Sequence, residues 1–203
     1  LVAFAKERNL AVRQDELKNV IIKKPATEGY EKEETLILQG HMDMVAVKDA
    51  ESDIDLEREP LRLNFKDGCL YAEGTSLGGD DGIAVAYALA ILDSDSIRHP
   101  ALEVVFTVNE EVGMDGAIGI DLSDLKGTRL LNIDSEEEGV LLTSCAGGMR
   151  VHAVLPVKRV PAEGTCVEIT LSGLKGGHSG AEIHKNRANA NKRWHAEQDA
   201  PAC

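Results

Sequence analysis

An α/β fold, with a mostly parallel sheet covered by helices on both faces, is the architecture that the sequence predicts, followed by the start of a smaller α+β domain. Up to about residue 147, compact apolar runs of strand length alternate with helical connections, which is typical of a parallel sheet. After this point the pattern changes to alternating, more polar strands. We therefore expect residues 1–147 to belong to one domain and residues 148–192 to begin another.

The elements of the first domain follow from hydrophobic spacing and from breaker residues. Residues 1–18 begin with apolar side chains at the spacing of an amphipathic helix, and residues 83–92 form an apolar, alanine-rich helix preceded by two aspartates. A Lys-Lys-Pro sequence closes the first of the short apolar runs. The strands of the sheet are expected at residues 20–22, 35–39, 102–108 and 130–133.

The second region contains two segments of alternating hydrophobicity, MRVHAVLPV and CVEITLSGL, separated by a turn through Pro161 and Gly164. The second segment runs into the sequence GLKGGHSGAEIH. Residues 193–203 have no amphipathic period and little to bury. We expect this last stretch to be a tail outside the fold.

Composition excludes several classes of partner. The chain has 203 residues, of which 43% are hydrophobic, and a net charge of -13, which argues against nucleic acid or an anionic membrane as the main partner. It has no run of 18 apolar residues, and its four cysteines form no CxxC pair. We therefore expect a cytoplasmic location, with no nucleic-acid or membrane partner.

Acidic and histidine side chains follow apolar runs at four places: LILQGHMD, GGDDGIAV, VVFTVNEE and LLNIDSEEEG. In an open α/β sheet, ligand sites gather beyond the carboxyl ends of the strands, so residues at these positions converge from distant parts of the chain. A cation would offset the repulsion between such clustered acids. The candidates for a metal site are His41, Asp43, Asp80, Glu110, Glu111 and Asp134.

Each of these patterns also has a simpler explanation. His41 and Asp43 project to the same face if the strand continues, so one could bind a metal while the other orients it. Taken alone, the His-Met-Asp triplet is better explained by a surface loop. Asp80 and Asp81 precede a helix, where carboxylates favour the positive end of the helix dipole, and bridging two cations is the functional alternative. Only the coincidence of four such strand ends favours the metal site.

Glu110 and Glu111 are adjacent at a strand end, an unfavourable place for two carboxylates unless something positive lies between them. One of them could bind a metal while the other accepts and returns a proton, as metal hydrolases require. His178 lies in GGHSG, which fails the G-x-S-x-G pattern of a serine-hydrolase elbow because Ser179 is followed directly by Gly180. A loop histidine is the simplest explanation of His178.

Five motifs of the chain resemble those of the M20 metallopeptidases, specifically the aminoacyl-histidine dipeptidase type. In order along residues 1–192 they are QGHMDMV, GTSLGGDDGIAVAYALAIL, VNEEVGMDGAIGID, LLNIDSEEEG with CAGG, and GLKGGHSGAEIH with NANK. The resemblance implies a catalytic metal-binding domain over residues 1–147 and part of a lid and dimerisation domain over residues 148–192. It implies metal-dependent hydrolysis of dipeptides, Xaa-His dipeptides among them, by a homodimer.

The resemblance also implies a role for each candidate residue. His41 and Asp134 would hold one divalent ion, Asp80 would bridge, and Glu111 would hold a second ion. Zn²⁺ fits the mixed histidine and carboxylate set, and Mn²⁺ or Co²⁺ could serve. Glu110 would be the general acid/base, and Asp43 would orient His41. His178, in the lid, would approach the substrate carbonyl.

The resemblance ends after Lys192, before the returning half of the catalytic domain that carries the last histidine ligand in this family. We therefore expect a truncated chain in which one metal's ligand pair is complete. Two alternatives stay open. The chain could be an M20 aminoacylase or deacetylase that acts on N-acyl amino acids, or a metal-binding fragment without activity.

Overall fold

The computed structural model describes residues 1–193, except residues 136, 146, 148, 150, 162, 166 and 178–181 and the side chain of residue 183. The chain divides into two compact units, Leu1–Glu138 and the residues from Gly139 onward. The first unit carries all of the described strands. Its elements are α1 (Val2–Glu7), β1 (Ala11–Gln14), β2 (Val20–Lys24), β3 (Leu36–His41), β4 (Leu63–Lys66), β5 (Cys69–Ala72), α2 (Gly82–Asp93), β6 (Leu102–Thr107), α3 (Asp115–Gly119) and β7 (Arg129–Asn132).

Five of these strands form one sheet in the order β1-β2-β6-β3-β7. β3 lies between β6 and β7 and pairs with both in parallel, with Leu36 opposite Leu102 and Arg129. β2 runs antiparallel to both of its neighbours, β1 and β6. The carboxyl ends of β3, β6 and β7 therefore meet at one edge, and the predicted α/β architecture with a mostly parallel core is confirmed.

The core lies on both faces of this sheet. All six residues of β6 are buried, as expected for a strand covered on both sides. On one face, Ala5 of α1 and Ala88 and Leu92 of α2 pack with Phe106. On the other face, the residues that follow α3 cover a smaller apolar cluster, which consists of Ile21, Ile37 and Val105 with Ile120 and Leu125 around it.

The first unit leaves apolar surface beside β7, the last strand of the sheet within the described part of the chain. Leu130 is 59% exposed and Leu131 is 43% exposed. A cavity of about 300 Å³ lies between β3, β7 and α2, and a second of about 260 Å³ lies on the opposite face. Among the described residues, no helix has the length and apolar character needed to cross a membrane.

The predicted helix over residues 1–18 is wrong beyond residue 7. Asn9 adopts a left-handed backbone with φ of 55°, and the N–H of Leu10 donates to the carbonyl of Ala5 at 2.9 Å, which ends α1. The chain then forms β1, whose main-chain groups pair with β2. Leu10 still packs on the core, so the apolar spacing predicted correctly that its side chain is directed inward. The helical conformation predicted for this residue was wrong.

Two further differences concern short strands. The β4–β5 hairpin was not predicted; its turn passes through Asp67 and Gly68, which both have positive φ. Conversely, the described residues within 149–177 form no strand and are all exposed, so the two alternating segments find no sheet to pair with there. Within the described part of the second unit, Ile183–Lys185 form a 3-10 turn and residues 190–193 are helical. The assignment of residues 148–192 to a lid stays a prediction.

Candidate metal centre

The predicted site residues of the first unit lie around the carboxyl edge of the sheet. His41 is the last residue of β3, and Asp134 lies just beyond β7. Glu110 and Glu111 occupy the loop between β6 and α3, and Asp80 precedes α2. Parallel pairing of β3 with both β6 and β7 brings these positions together from across the sequence.

His41 is the centre of this group and is only 1% exposed. Its Nε2 lies 2.9 Å from Oδ1 of Asp80 and 4.0 Å from Oδ2 of Asp134. Its Nδ1 lies 2.8 Å from the backbone carbonyl oxygen of Asp43. Because a carbonyl oxygen only accepts hydrogen bonds, this contact places a proton on Nδ1, so Nε2 is the nitrogen that could bind a metal in place of its contact with Asp80.

The carboxylate of Asp43 contacts the other side of the site. It accepts hydrogen bonds from the backbone N–H groups of Glu110 at 3.1 Å and Glu111 at 3.2 Å. One of its oxygens lies 3.6 Å from Nδ1 of His41. Asp43 therefore meets His41 mainly through its main chain, while its side chain holds the loop of the two glutamates.

Two groups of side chains are close enough to hold a metal ion, and His41 belongs to both. One consists of His41, Glu110 and Glu111, and the other of His41, Asp81 and Asp134, with ligand atoms within 4.8 Å of one another in each group. Asp80 contacts Nε2 of His41 directly. The structure thus brings six of the seven predicted residues into one site; His178 lies outside the described residues.

Asp81 is a member of the site that sequence reasoning did not select. It is 1% exposed, its Oδ2 accepts the backbone N–H of His41 at 3.2 Å, and its Oδ1 has no hydrogen-bond partner among the residues that the structure describes. A Cβ on Gly40 would lie 2.7 Å from that Oδ2 and 2.6 Å from Cβ of Ala84. A glycine inside a strand often marks such a close approach, so Gly40 was the available signal.

The electrostatics of the site show a shortage of positive charge. Burial raises the pKa of the Asp81 carboxyl to about 6, and the nearby charges of Asp134 and Asp80 add to the effect. Burial likewise raises the pKa values of Glu110 and Asp134. Among the described residues, His41 is the only side chain with a basic nitrogen within 4.0 Å of a carboxylate oxygen of this group, namely those of Asp80 and Asp134.

The imidazole responds to the same environment. Burial alone would lower the pKa of His41, but its hydrogen bonds to Asp80 and to the Asp43 carbonyl, with the charges of Asp134 and Asp80, outweigh burial and raise it. A divalent cation would relieve the repulsion and give the buried Oδ1 of Asp81 a partner. One imidazole nitrogen with several carboxylate oxygens is a donor set that fits zinc, manganese or cobalt.

Comparison with known proteins identifies the family. The model of peptidase family M20/M25/M40 matches residues 37–181. The chain belongs to this family. Its matched segment includes each of the strand ends that carry the site.

The M20 chain is also similar to individual peptidases. It is 43% identical over 194 residues to the cytosol non-specific dipeptidase of Escherichia coli (strain K12), covering 95% of this chain and 40% of that protein. The crystal structure of aminoacylhistidine dipeptidase from Vibrio alginolyticus superposes with a TM-score of 0.66 at 36% identity, covering 99% of this chain and 41% of that one. A tripeptidase from Staphylococcus aureus superposes at 0.54 with 25% identity, covering 67% and 36%. The chain thus spans about 40% of the length of its curated dipeptidase relative.

Proposed function

We propose that this M20 chain forms the metal-binding part of a dipeptidase that hydrolyses Xaa-His and other dipeptides. The observation that carries the proposal is the convergence of one buried imidazole with carboxylates from three other segments of the chain, which have no other basic partner among the described residues. The dipeptidases to which the chain is similar support the substrate class. The chain's coverage of 40% of that relative makes the whole enzyme's activity part of the proposal.

Four residues are proposed as metal ligands. His41 and Asp134 would hold one ion, Glu111 would hold a second, and Asp80 would be a ligand of both. The contact of Nε2 of His41 with Asp80 and its 4.0 Å approach to Asp134 support the first ligand pair. The group formed by His41, Glu110 and Glu111 supports a second ion position near Glu111. Two zinc ions are the proposed content, with manganese or cobalt as functional substitutes.

Glu110 is the proposed proton carrier. Burial holds the pKa of its carboxyl above the ordinary range, which brings it closer to the neutral pH at which a general base must both accept and release a proton. Bound divalent cations lower the pKa of water and polarise a carbonyl group. Glu110 would accept a proton from the attacking water and return it to the leaving amine, while Asp43 keeps the loop in place through the N–H groups of Glu110 and Glu111.

The remaining proposals concern groups around this site. His178 is proposed to approach the substrate carbonyl from the lid, and the assembled enzyme is proposed to be a homodimer through that lid. A cytoplasmic location is proposed because the chain's E. coli relative carries the name of a cytosol enzyme. The aminoacylase alternative uses the same metal centre and differs in the group that precedes the scissile amide.

Hydrolysis assays distinguish these functions. The chain would be stripped with a chelator, reloaded with Zn²⁺, Mn²⁺ or Co²⁺, and supplied with Xaa-His dipeptides, other dipeptides and N-acetyl amino acids. We expect dipeptide cleavage that the chelator abolishes and metal restores, with Glu110→Gln as the matched inactive control. Cleavage of N-acetyl amino acids alone would favour an aminoacylase. Metal binding without any cleavage would indicate the metal-binding fragment and contradict the dipeptidase proposal for this chain.

A further inference from the structure

The loop that carries Glu110 and Glu111 is held at its base by a side chain from a distant part of the sequence. Asn19, in the turn that leads into β2, is 1% exposed. Its Oδ1 accepts the backbone N–H of Val108 at 3.1 Å, and its Nδ2 donates to the carbonyl oxygen of Gly116 at 3.0 Å. One amide group therefore contacts both ends of the loop.

The two ends of the loop are also bonded to each other. The N–H of Gly116 donates to the carbonyl oxygen of Val108 at 3.0 Å. A Cβ on Gly116 would lie 2.3 Å from that oxygen and 2.5 Å from Oδ1 of Asn19, so no other residue fits without moving the main chain. The two ends of the loop are thus closely packed against each other, and the Asn19 side chain is part of this packing.

Asn19 is itself held in one orientation by Asp15. Its Nδ2 donates to one carboxylate oxygen of Asp15 at 2.7 Å, and its backbone N–H donates to the other at 2.9 Å. An amide has two donors and one acceptor oxygen with two lone pairs, and here both donors are used. The flipped amide would place its NH₂ against the N–H of Val108, so Asp15 and Gly116 together define which atom faces the loop.

Between its ends, the main chain of the loop is constrained by its backbone conformation and by hydrogen bonds within the loop, so the two glutamates cannot shift independently of the loop ends. Asn109 and Met114 both adopt left-handed backbone conformations, with φ of 56° and 63°. The N–H of Met114 donates to the carbonyl oxygens of Asn109 and Glu110 at 2.8 and 3.1 Å. The position of the glutamate main chain consequently follows from the position of the base.

We propose that Asn19 is a positioning residue for the metal centre, acting through the loop of residues 108–116. Asn19 holds the base of this loop and the Asp43 carboxylate holds the N–H groups of Glu110 and Glu111, so the two contacts together aim both glutamates at His41. The proposal rests on the proposed function in one respect, namely that these glutamates serve a bound cation.

A matched control separates this role from general stability. Glu103 is 3% exposed and, at the opposite end of β6, accepts the N–H groups of Lys126 and Gly127 at 2.9 Å each. It therefore anchors a loop as Asn19 does, with similar burial, but far along the strand from the glutamates. Glu103→Gln is expected to affect folding without affecting the metal centre.

The test compares Asn19→Ala and Glu103→Gln in the full chain by two measurements. Amide hydrogen exchange of residues 109–114 is measured without metal, and Co²⁺ binding is followed by titration and by the visible spectrum of the bound ion. We expect Asn19→Ala to accelerate exchange in this loop at least about tenfold, to weaken Co²⁺ binding roughly 10- to 100-fold, and to change the spectrum, as loss of a ligand-supporting contact does. Glu103→Gln should leave loop exchange and Co²⁺ binding within about twofold of the parent, which is the ordinary size of an effect without a shared partner.

Loop exchange and a Co²⁺ spectrum like those of the parent in Asn19→Ala would overturn the proposal, even if the variant were less stable. If Asn19→Ala does not fold, Asp15→Ala keeps the Asn19 amide but removes the carboxylate that accepts its side-chain and backbone N–H groups. This variant should change exchange and spectrum in the same direction by a smaller amount, and no change would overturn the proposal. Because neither measurement uses a peptide substrate, a failure to detect peptide hydrolysis would count against the proposed function alone.

Discussion

A carboxylate is buried at each end of the central sheet, and the two carboxylates differ in the hydrogen bonds and counter-charges that the protein provides for them. At the amino end of β6, Glu103 is 3% exposed and accepts two backbone N–H groups, with the Lys23 ammonium 3.2 Å away. At the carboxyl edge, Asp81 is 1% exposed and accepts one N–H from His41, and its other oxygen has no partner in the described part of the chain. Its neighbours include the further acids Asp80 and Asp134, which raise its pKa.

The difference shows that the protein stabilises the buried charge of Glu103 but not that of Asp81. A buried carboxylate is tolerated when hydrogen bonds and a counter-charge are supplied, and Glu103 has both. Asp81 has the burial without the counter-charge, within a group of acids that share His41. The carboxyl edge is therefore a place where a bound cation would supply the counter-charge that Asp81 lacks.

The largest effect is expected for proton transfer at the carboxyl edge. Glu110→Gln keeps the size of the side chain but removes its ability to carry a proton, so hydrolysis should fall by about 10²- to 10⁴-fold. Metal affinity should change far less, because Glu111 remains to hold the cation. Steady-state rates with a dipeptide, combined with calorimetric metal titration, check both parts. A rate loss explained entirely by lost metal would contradict the role of Glu110.

Removal of the shared imidazole should have the next largest effect. His41→Ala takes a ligand from both candidate groups, and metal affinity is expected to fall by roughly 100-fold or more, since even supporting contacts are worth 10- to 100-fold. His99→Ala is the control, because His99 is also a buried histidine, at 4% exposure, but precedes the amino end of β6. Equal loss of Zn²⁺ binding in both variants, measured by calorimetry, would contradict a site centred on His41.

The smallest effect is expected on the free energy of unfolding of the metal-free chain when each of the two buried acids is replaced by its amide. Asp81→Asn removes a carboxylate whose pKa of about 6 lies above the ordinary value, so it should stabilise the fold at pH 8 by up to about 3 kcal/mol. Glu103→Gln removes a satisfied acceptor and should destabilise the fold by about 1 to 3 kcal/mol. Urea unfolding of both variants gives these free energies.

The sign of the Asp81 effect also depends on pH. A carboxyl whose pKa is raised on folding contributes stability at low pH, and this contribution is lost as the pH rises through about 6. The gain from Asp81→Asn should therefore be present above pH 6 and absent below about pH 4. A destabilising Asp81→Asn at pH 8 without metal would show that the carboxylate is already satisfied by the protein.

The sequence predicted those parts of the molecule in which hydrophobic pattern and strand ends coincide. β3, which ends at His41, and the strands β6 and β7, which precede Glu110 and Asp134, were expected within a few residues, since each is a compact apolar run followed by polar residues. Their parallel arrangement explains why the site residues converge. The family motifs then supplied role assignments that no single spacing could provide.

The elements that were missed depend on contacts between distant residues. β1 replaces the expected continuation of α1 because Asn9 turns the chain and β2 offers a partner, and neither fact is visible in local spacing. Asp81 and Asn19 likewise gain their importance from partners far along the chain, His41 for the first and Val108 and Gly116 for the second. Helical and strand periods report which face is buried, but not which polar atoms meet there.

Anomalous diffraction at the zinc edge, from crystals of this chain equilibrated with Zn²⁺, tests the central contrast most directly. We predict a peak bonded to Nε2 of His41 and to carboxylates of the Asp80, Asp81 and Asp134 group, with Asp80 released from its present 2.9 Å contact with the imidazole. No peak should occur beside Glu103. Absence of zinc at His41, with Asp80 still bonded to the ring, would contradict the account.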